Sequence, residues 1–323
     1  MTFAFIDAIL YGNGELSERF KELVLKTSDS ERNLGFESLT LRQKSTLRGG
    51  FSVFSVVKWE KGGVRVRYSD LVFDLYGTLV DIHTEENAQV WEKTAFFFGF
   101  YGAHYTPTEL KTAFEAELKR REAKAGQSYE CFPDIPFEQV MAQLFRQKEI
   151  ANAEGLGVQA AQLFRISSLE YIRLYPGVLQ ALQALQAAGC RLWLLSNAQQ
   201  VFTAYELRLL GLGEQFDGVY LSSDYGCRKP DLRFYQALMQ EYNLQPQQCL
   251  MIGNDRATDI AGAKNAGMDT LYMHTALTPA DQAPADPALL PGVAPEDCHH
   301  FEFEGDQWES LVQILLNMIK NHR

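Results

Sequence analysis

Short apolar runs recur along the chain from position 71 onward, and helical patterns separate them. The runs 71–75, 191–195, 218–221, 250–253 and 270–273 are too short for helices and rich in β-forming residues. Between them lie amphipathic stretches such as 178–188, ended by Gly189, and 231–242. Strands spaced by helices predict right-handed βαβ units, and so an α/β fold with a parallel sheet covered on both faces. A last strand at 300–303 and a helix at 306–319 close the pattern, after a Pro-, Ala- and Asp-rich loop at 278–297. Residues 87–174 have a different rhythm, that of four helical stretches. One opens at Thr106-Pro107-Thr108-Glu109, a capping box with Pro at the first helical position. Phe96, Phe97, Phe98, Phe114, Phe137 and Phe145 recur in these stretches, and most of them are expected to pack helix on helix.

The 323 residues carry 30 Lys and Arg against 41 Asp and Glu, a net charge of −11. That balance argues against a nucleic-acid binder, whose affinity rests on excess basic residues. No apolar run reaches the ~18 residues of a membrane span, and 1–11 lack the basic flank of a secretory signal. Cys131, Cys190, Cys227, Cys249 and Cys298 are scattered and form no C-x-x-C pair, as expected of reduced thiols in a cytoplasmic protein. The sequence assigns no oligomeric state.

In a parallel sheet, ligands bind at the carboxyl ends of the strands. Four strand ends carry polar clusters: Asp74-Leu75-Tyr76-Gly77-Thr78, Ser196-Asn197, Lys229-Pro230-Asp231 and Gly253-Asn254-Asp255, with Asp259 four residues on. Each alone has a plain reading as a turn or helix cap. Together they describe a carboxylate-nucleophile site for a small anionic substrate. Asp74 is the nucleophile. Ser196, Asn197, Gly77 and Thr78 offer hydrogen bonds to an anion, and Lys229 offsets charge repulsion. Asp255 and Asp259, at i and i+4, are expected on one face of an opening helix. With Asp74 they make three carboxylates, which points to Mg²⁺.

This constellation resembles the haloacid dehalogenase superfamily over residues 68–320, with all four of its motifs matched in order. The resemblance implies a Rossmann-like core, here 66–84 and 175–323, interrupted by a helical cap at 85–174. It also implies hydrolysis through a covalent aspartyl intermediate, with Mg²⁺ held by Asp74, the backbone carbonyl of Tyr76, Asp255 and Asp259.

Two departures bear on the reaction. Phosphatases similar to this chain carry a second Asp, a general acid and base, where Tyr76 stands. Its loss favours good leaving groups such as acyl phosphates, unless His83 or Glu85 replaces it; the plainer reading of those two is solvated loop residues. The D-x-Y-G-T form is also similar to the 2-haloacid dehalogenases, which work without metal. Those carry an Arg about thirty residues after the nucleophile, and 82–118 hold none. The second departure is Asn254 in place of the usual Asp, which puts Asp255 first and Asp259 second as metal ligands. A Mg²⁺-dependent phosphatase is the leading expectation. A dehalogenase and a weakly active or non-catalytic binding member are the alternatives.

Residues 1–65 resemble nothing. They hold ten basic and eight acidic residues, against the acidic remainder. Two readings stand: an accessory extension, or a mis-assigned start. In the second, Glu60-Lys61-Gly62-Gly63 is encoded by a ribosome-binding run, and Val64 or Val66 is a GTG start.

Overall fold

The computed structural model describes residues 38–46, 52–60, 68–125, 132–279 and 298–320. The chain divides into two compact units, Met1–Leu39 with Glu60–Gly62, and Thr40–Trp59 with Gly63–Arg323. The second holds almost all the described residues.

The strands are β1 (Ser38–Thr46), β2 (Ser52–Glu60), β3 (Asp70–Phe73), β4 (Val80–Thr84), β5 (Leu169–Leu174), β6 (Arg191–Ser196), β7 (Gly218–Leu221), β8 (Cys249–Gly253), β9 (Asp269–His274) and β10 (His300–Glu304). The helices are α1 (Ala88–Phe100), α2 (Pro107–Ala125), α3 (Phe137–Arg146), α4 (Ala153–Ser168), α5 (Val178–Ala187), α6 (Gln200–Leu209), α7 (Ser222–Tyr225), α8 (Leu232–Glu241), α9 (Ala261–Asn265) and α10 (Trp308–Lys320). One sheet runs β1-β2-β10-β9-β8-β3-β6-β7. Its six strands from β10 to β7 are parallel, as the alternation of strands and helices predicts. At its edge β2 pairs antiparallel with β10, Trp59 opposite Phe301. The sequence reading placed no strand at 38–60. Apart from β1 and β2, the readings of 1–65 fall outside the described residues, as does most of the 278–297 loop.

Period-two alternation sends successive side chains to opposite faces. Leu71, Phe73, Leu192, Leu194, Leu250 and Ile252 pack with Leu182 and Leu185 of α5 and Trp308 and Leu311 of α10. Val72, Trp193, Leu195 and Met251 pack on the other face with Phe234, Tyr235 and Leu238 of α8. Burying each large side chain contributes roughly 1.5–3 kcal/mol. β3 lies between β8 and β6, so the chain builds outward from it first one way and then the other. That reversal opens a crevice at the carboxyl end of β3.

Helices α1 to α4 lie between β4 and β5 in sequence and form their own apolar cluster, including Trp91, Phe98, Phe114, Phe145 and Phe164. Phe98 stacks on Phe145 with ring centroids 3.8 Å apart. The capping box forms at α2: Thr106 N–H donates to Glu109 Oε2 at 2.8 Å, and Glu109 N–H to Thr106 Oγ1 at 3.2 Å. Of the six phenylalanines, Phe96 alone is exposed, on the outer face of α1. One local expectation changes. Residues 169–174 form β5, not helix, because β4 supplies an antiparallel partner, Val80 opposite Leu174. Among the described residues no helix is long and apolar enough to cross a membrane.

Candidate active site

Asp74 follows the last residue of β3 at the crevice. Its N–H donates to the Ile252 carbonyl of β8 at 3.0 Å, so the sheet ladder fixes its backbone. The next turn is tight: the Leu75 carbonyl accepts from the Leu79 and Val80 N–H groups at 2.9 and 3.0 Å. Gly77 sits in this turn at φ +84°, where other residues are strained, and a Cβ there would collide with the Asn254 amide. Thr78 is fully buried, and the single proton of its hydroxyl is shared between Asp74 Oδ2 at 3.3 Å and Asn254 Oδ1 at 3.2 Å.

Lys229 is buried, and its ammonium spends its protons on three oxygens. Nζ lies 2.7 Å from Asp74 Oδ1, 2.7 Å from Asp259 Oδ1 and 2.8 Å from the Leu195 carbonyl. Burial works against this charge, but the Asp259 and Asp74 carboxylates outweigh it and hold the ammonium above its ordinary pKa. Burial pushes the Asp259 carboxyl above the usual carboxylate range, Lys229 pulls it back, and the Asp74 charge adds to the rise. Asn197 fixes the loop that carries Lys229. Its Oδ1 accepts from Lys229 N–H at 2.8 Å, and its Nδ2 donates to the Lys229 carbonyl at 3.0 Å.

The fourth cluster departs from the helix-face expectation. Asp255 has an extended backbone and caps the following turn, its Oδ1 accepting from Ala257 N–H at 2.8 Å and Thr258 N–H at 3.1 Å. That turn is wide: the Ile260 N–H reaches back five residues to the Asp255 carbonyl at 3.2 Å. Asp255 is the N-cap of that turn rather than a member of it, and the Asp259 N–H also returns to its carbonyl, at 2.9 Å. Asp259 Oδ2 accepts the Asp255 N–H at 3.0 Å.

A cavity of about 190 Å³ is lined by Asp74, Tyr76, Ser196, Asn197, Lys229, Asn254, Asp255, Thr258, Asp259, Leu277 and Pro279. Ser196 is buried, and its Oγ has no hydrogen-bond partner among the described residues. A buried hydroxyl without a partner on a cavity wall suits a ligand oxygen. Tyr76 turns its phenol toward α6, donating to Glu206 Oε2 at 2.5 Å and meeting Thr203 Oγ1 at 3.0 Å. Burial, then the Glu206 charge, holds the phenol well above its ordinary pKa. Arg165 of α4 completes the group: its Nε and Nη2 donate to Glu206 Oε1 and Oε2 at 2.6 and 3.0 Å.

The structure therefore gathers Asp74, Tyr76, Ser196, Asn197, Lys229, Asp255 and Asp259 around one cavity. Gly77 and Thr78 lie behind Asp74, where they shape its turn. His83 is half-exposed in β4, facing Glu170 at 3.6 Å, and neither it nor Glu85 lines the cavity. Sequence reasoning gave no role to Asn254, Glu206 or Arg165. Asn254 was visible as a departure from the family pattern, whereas the other two had no local signal.

Among the described residues no three His, Cys, Asp or Glu side chains are grouped closely enough to form a metal site by themselves. The donors beside Asp74 are nonetheless hard oxygens: the Asp74 and Asp259 carboxylates, joined through Lys229, and the Asn254 carbonyl, joined through Thr78. Such a set suits Mg²⁺.

Residues 71–267 match the model of the haloacid dehalogenase-like hydrolases. The chain belongs to this hydrolase family. Within the haloacid dehalogenase-like hydrolases it is similar to a glyceraldehyde 3-phosphate phosphatase of Methanothermobacter thermautotrophicus, 32% identical over 111 residues. That alignment takes in 34% of this chain and 49% of the relative, so it spans about half the relative's length. A glyceraldehyde 3-phosphate phosphatase of Pyrococcus furiosus is 26% identical over 206 residues, 64% of this chain and 80% of that one. Among solved structures, a phosphatase of the family from Thermococcus onnurineus has a TM-score of 0.46 and 18% identity, covering 76% of this chain and 97% of that one.

Proposed function

We propose that this hydrolase is a Mg²⁺-dependent phosphatase of a small phosphorylated metabolite, acting through an aspartyl phosphate on Asp74. The observation that carries the reading is the Lys229 ammonium, fixed 2.7 Å from Asp74 on the wall of a cavity that also holds the unpartnered Ser196 hydroxyl. The phosphatase names of the two relatives support it.

In this mechanism an Asp74 carboxylate oxygen attacks phosphorus, and the bond to the leaving oxygen breaks with its electron pair. Lys229 offsets the repulsion between the Asp74 carboxylate and the phosphate. The Ser196 hydroxyl donates to a phosphoryl oxygen. Water then cleaves the Asp74–phosphate bond, freeing phosphate and the carboxylate. Asp74, Asp259 and an oxygen from the fourth cluster would hold Mg²⁺, which when bound supplies positive charge for the phosphoryl oxygens. The segment 85–174 acts as the cap. At its seam with the core lies a second cavity of about 280 Å³, lined by Glu86, Phe114, Asp134, Phe137, Gln199 and Arg228 among others, suited to the rest of the substrate.

The dehalogenase reading draws on Tyr76. It needs a free cation to receive halide, and Arg165, whose guanidinium lies 5.5 Å from the Tyr76 ring, is already paired through two bonds with Glu206. Purified protein is to be assayed on phosphorylated metabolites and on 2-chloropropionate. The expected result is Mg²⁺-dependent phosphate release, abolished by EDTA and by Asp74→Asn. Metal-independent chloride release without phosphatase activity overturns the proposal.

A further inference from the structure

Residues 132–136, just ahead of α3 in the helical segment, reach both core loops that carry Ser196 and Lys229. On one side they pair with the Lys229 loop, Pro133 opposite Cys227. Arg228 N–H donates to the Phe132 carbonyl at 2.8 Å, and Asp134 N–H to the Gly226 carbonyl at 3.2 Å. On the other side the buried Asp134 carboxylate takes two bonds from the core. Its Oδ1 accepts from Gln199 Nε2 at 2.9 Å, and its Oδ2 from the Ser222 hydroxyl at 2.5 Å. Ser222 Oγ in turn accepts the Ala198 N–H at 2.9 Å, so this chain of bonds ends on the turn that follows Ser196 and Asn197. Gln199 works in the opposite direction. Its Oε1 accepts the Phe137 N–H at 2.8 Å, at the start of α3, where Pro136 offers no side-chain cap.

The exchange is reciprocal: the core caps a helix of the segment, and the segment fixes a turn of the core. Asp134 lines the second cavity, but each of its oxygens already has a donor, so it has little to offer a substrate there. Hydrogen bonds to a carboxylate are short and strong, which suits it to hold geometry. We infer that Asp134 is a positioning residue for the reaction, which sets the Ser196–Asn197 turn through Ser222. The inference rests on the phosphatase reading above and on the role of Ser196 in it. A segment that only selected substrates would shift KM from one substrate to the next. A segment whose carboxylate holds the reacting groups in place governs kcat for all of them.

The test compares the full chain with Asp134→Ala, Asp134→Asn, Ser222→Ala and the Asp134→Ala/Ser222→Ala double variant. Each is assayed on acetyl phosphate and on p-nitrophenyl phosphate with Mg²⁺, and melting temperatures are measured beside kcat and KM. Asp134→Ala and Ser222→Ala are each expected to lower kcat by about tenfold on both substrates, with KM within about threefold of wild type. The double variant is expected to lose about as much as either single one, because both cut the same chain of bonds. Asp134→Asn keeps an acceptor for Gln199 and a polar partner for Ser222, and is expected to recover most of kcat. Three results overturn the inference and leave the phosphatase reading standing: lower melting temperatures with kcat intact, effects confined to one substrate, or a double variant that multiplies the two losses. If Asp134→Ala does not fold, Ser222→Ala decides alone, and an unchanged kcat overturns the inference. Absence of phosphate release by the wild type overturns the phosphatase reading itself, and this inference with it.

Discussion

Asp74 and Asp259 share one ammonium: Lys229 Nζ lies 2.7 Å from a carboxylate oxygen of each. Three charges are buried together, and removing the cation leaves two carboxylates without their partner. Lys229→Met is expected to cost about 3 kcal/mol or more of stability, measured by urea unfolding, and to abolish turnover. Asp259→Asn added to Lys229→Met removes one of the two orphaned charges. Stability is expected to recover in part and activity not at all. A stable, active Lys229→Met would contradict the arrangement.

Ser196 predicts the reverse pattern. Its hydroxyl is buried without a partner among the described residues, so deleting it removes an unsatisfied group rather than a bond. Ser196→Ala is expected to leave the melting temperature unchanged or raised. If the hydroxyl serves phosphate, kcat/KM falls by about tenfold or more, the worth of a hydrogen bond to a charged group. Unfolding without loss of activity would be the wrong outcome.

Tyr76 spends its phenol on Glu206 and Thr203. Tyr76→Phe removes a bond to a buried carboxylate that Arg165 still neutralises. A loss of about 1–2 kcal/mol in stability is expected, with activity on aryl phosphates reduced less than tenfold. A collapse of turnover with stability intact would instead make the phenol a catalytic acid.

Glu117 supplies a pH test within the helical segment. Its carboxylate accepts from Arg120 Nε and Nη2 and from Arg121 Nε, and these bonds, Arg120 first, outweigh burial and lower its pKa to about 2. A lowered folded-state pKa means stability that is complete above the unfolded value of ~4.3 and lost as pH falls toward the folded one. Glu117→Gln is therefore expected to lower the melting temperature by a few degrees at pH 7. The gap to wild type is expected to close between about pH 4.5 and pH 2. A gap that is constant over that range would assign the effect to packing.

The parallel strands were legible because each is a short apolar run flanked by polar turns, and Asp74, Ser196 and Lys229 because each follows directly on such a run or its loop. β4 and β5 were not, because Asp81, His83, Glu170 and Arg173 give them half-exposed, mixed sequences whose pairing becomes visible only when the ends meet. The Arg165–Glu206 pair joins helices 41 residues apart and leaves no local pattern. Asp255 and Asp259 were read with ordinary helical spacing. The structure makes Asp255 the cap of a wide turn, its carbonyl accepting from both the Asp259 and the Ile260 N–H groups at 2.9 and 3.2 Å.

Val80 and Leu174 face each other across the β4–β5 ladder, although 94 positions separate them in the sequence. The chain leaves the core and re-enters it at one doorway, with strands about 4.8 Å apart. The core is therefore closed on its own side of that doorway, and its strand order does not depend on what is threaded through it. Evolution can exchange the whole helical segment at this junction, as a cassette, without moving Asp74 relative to β8.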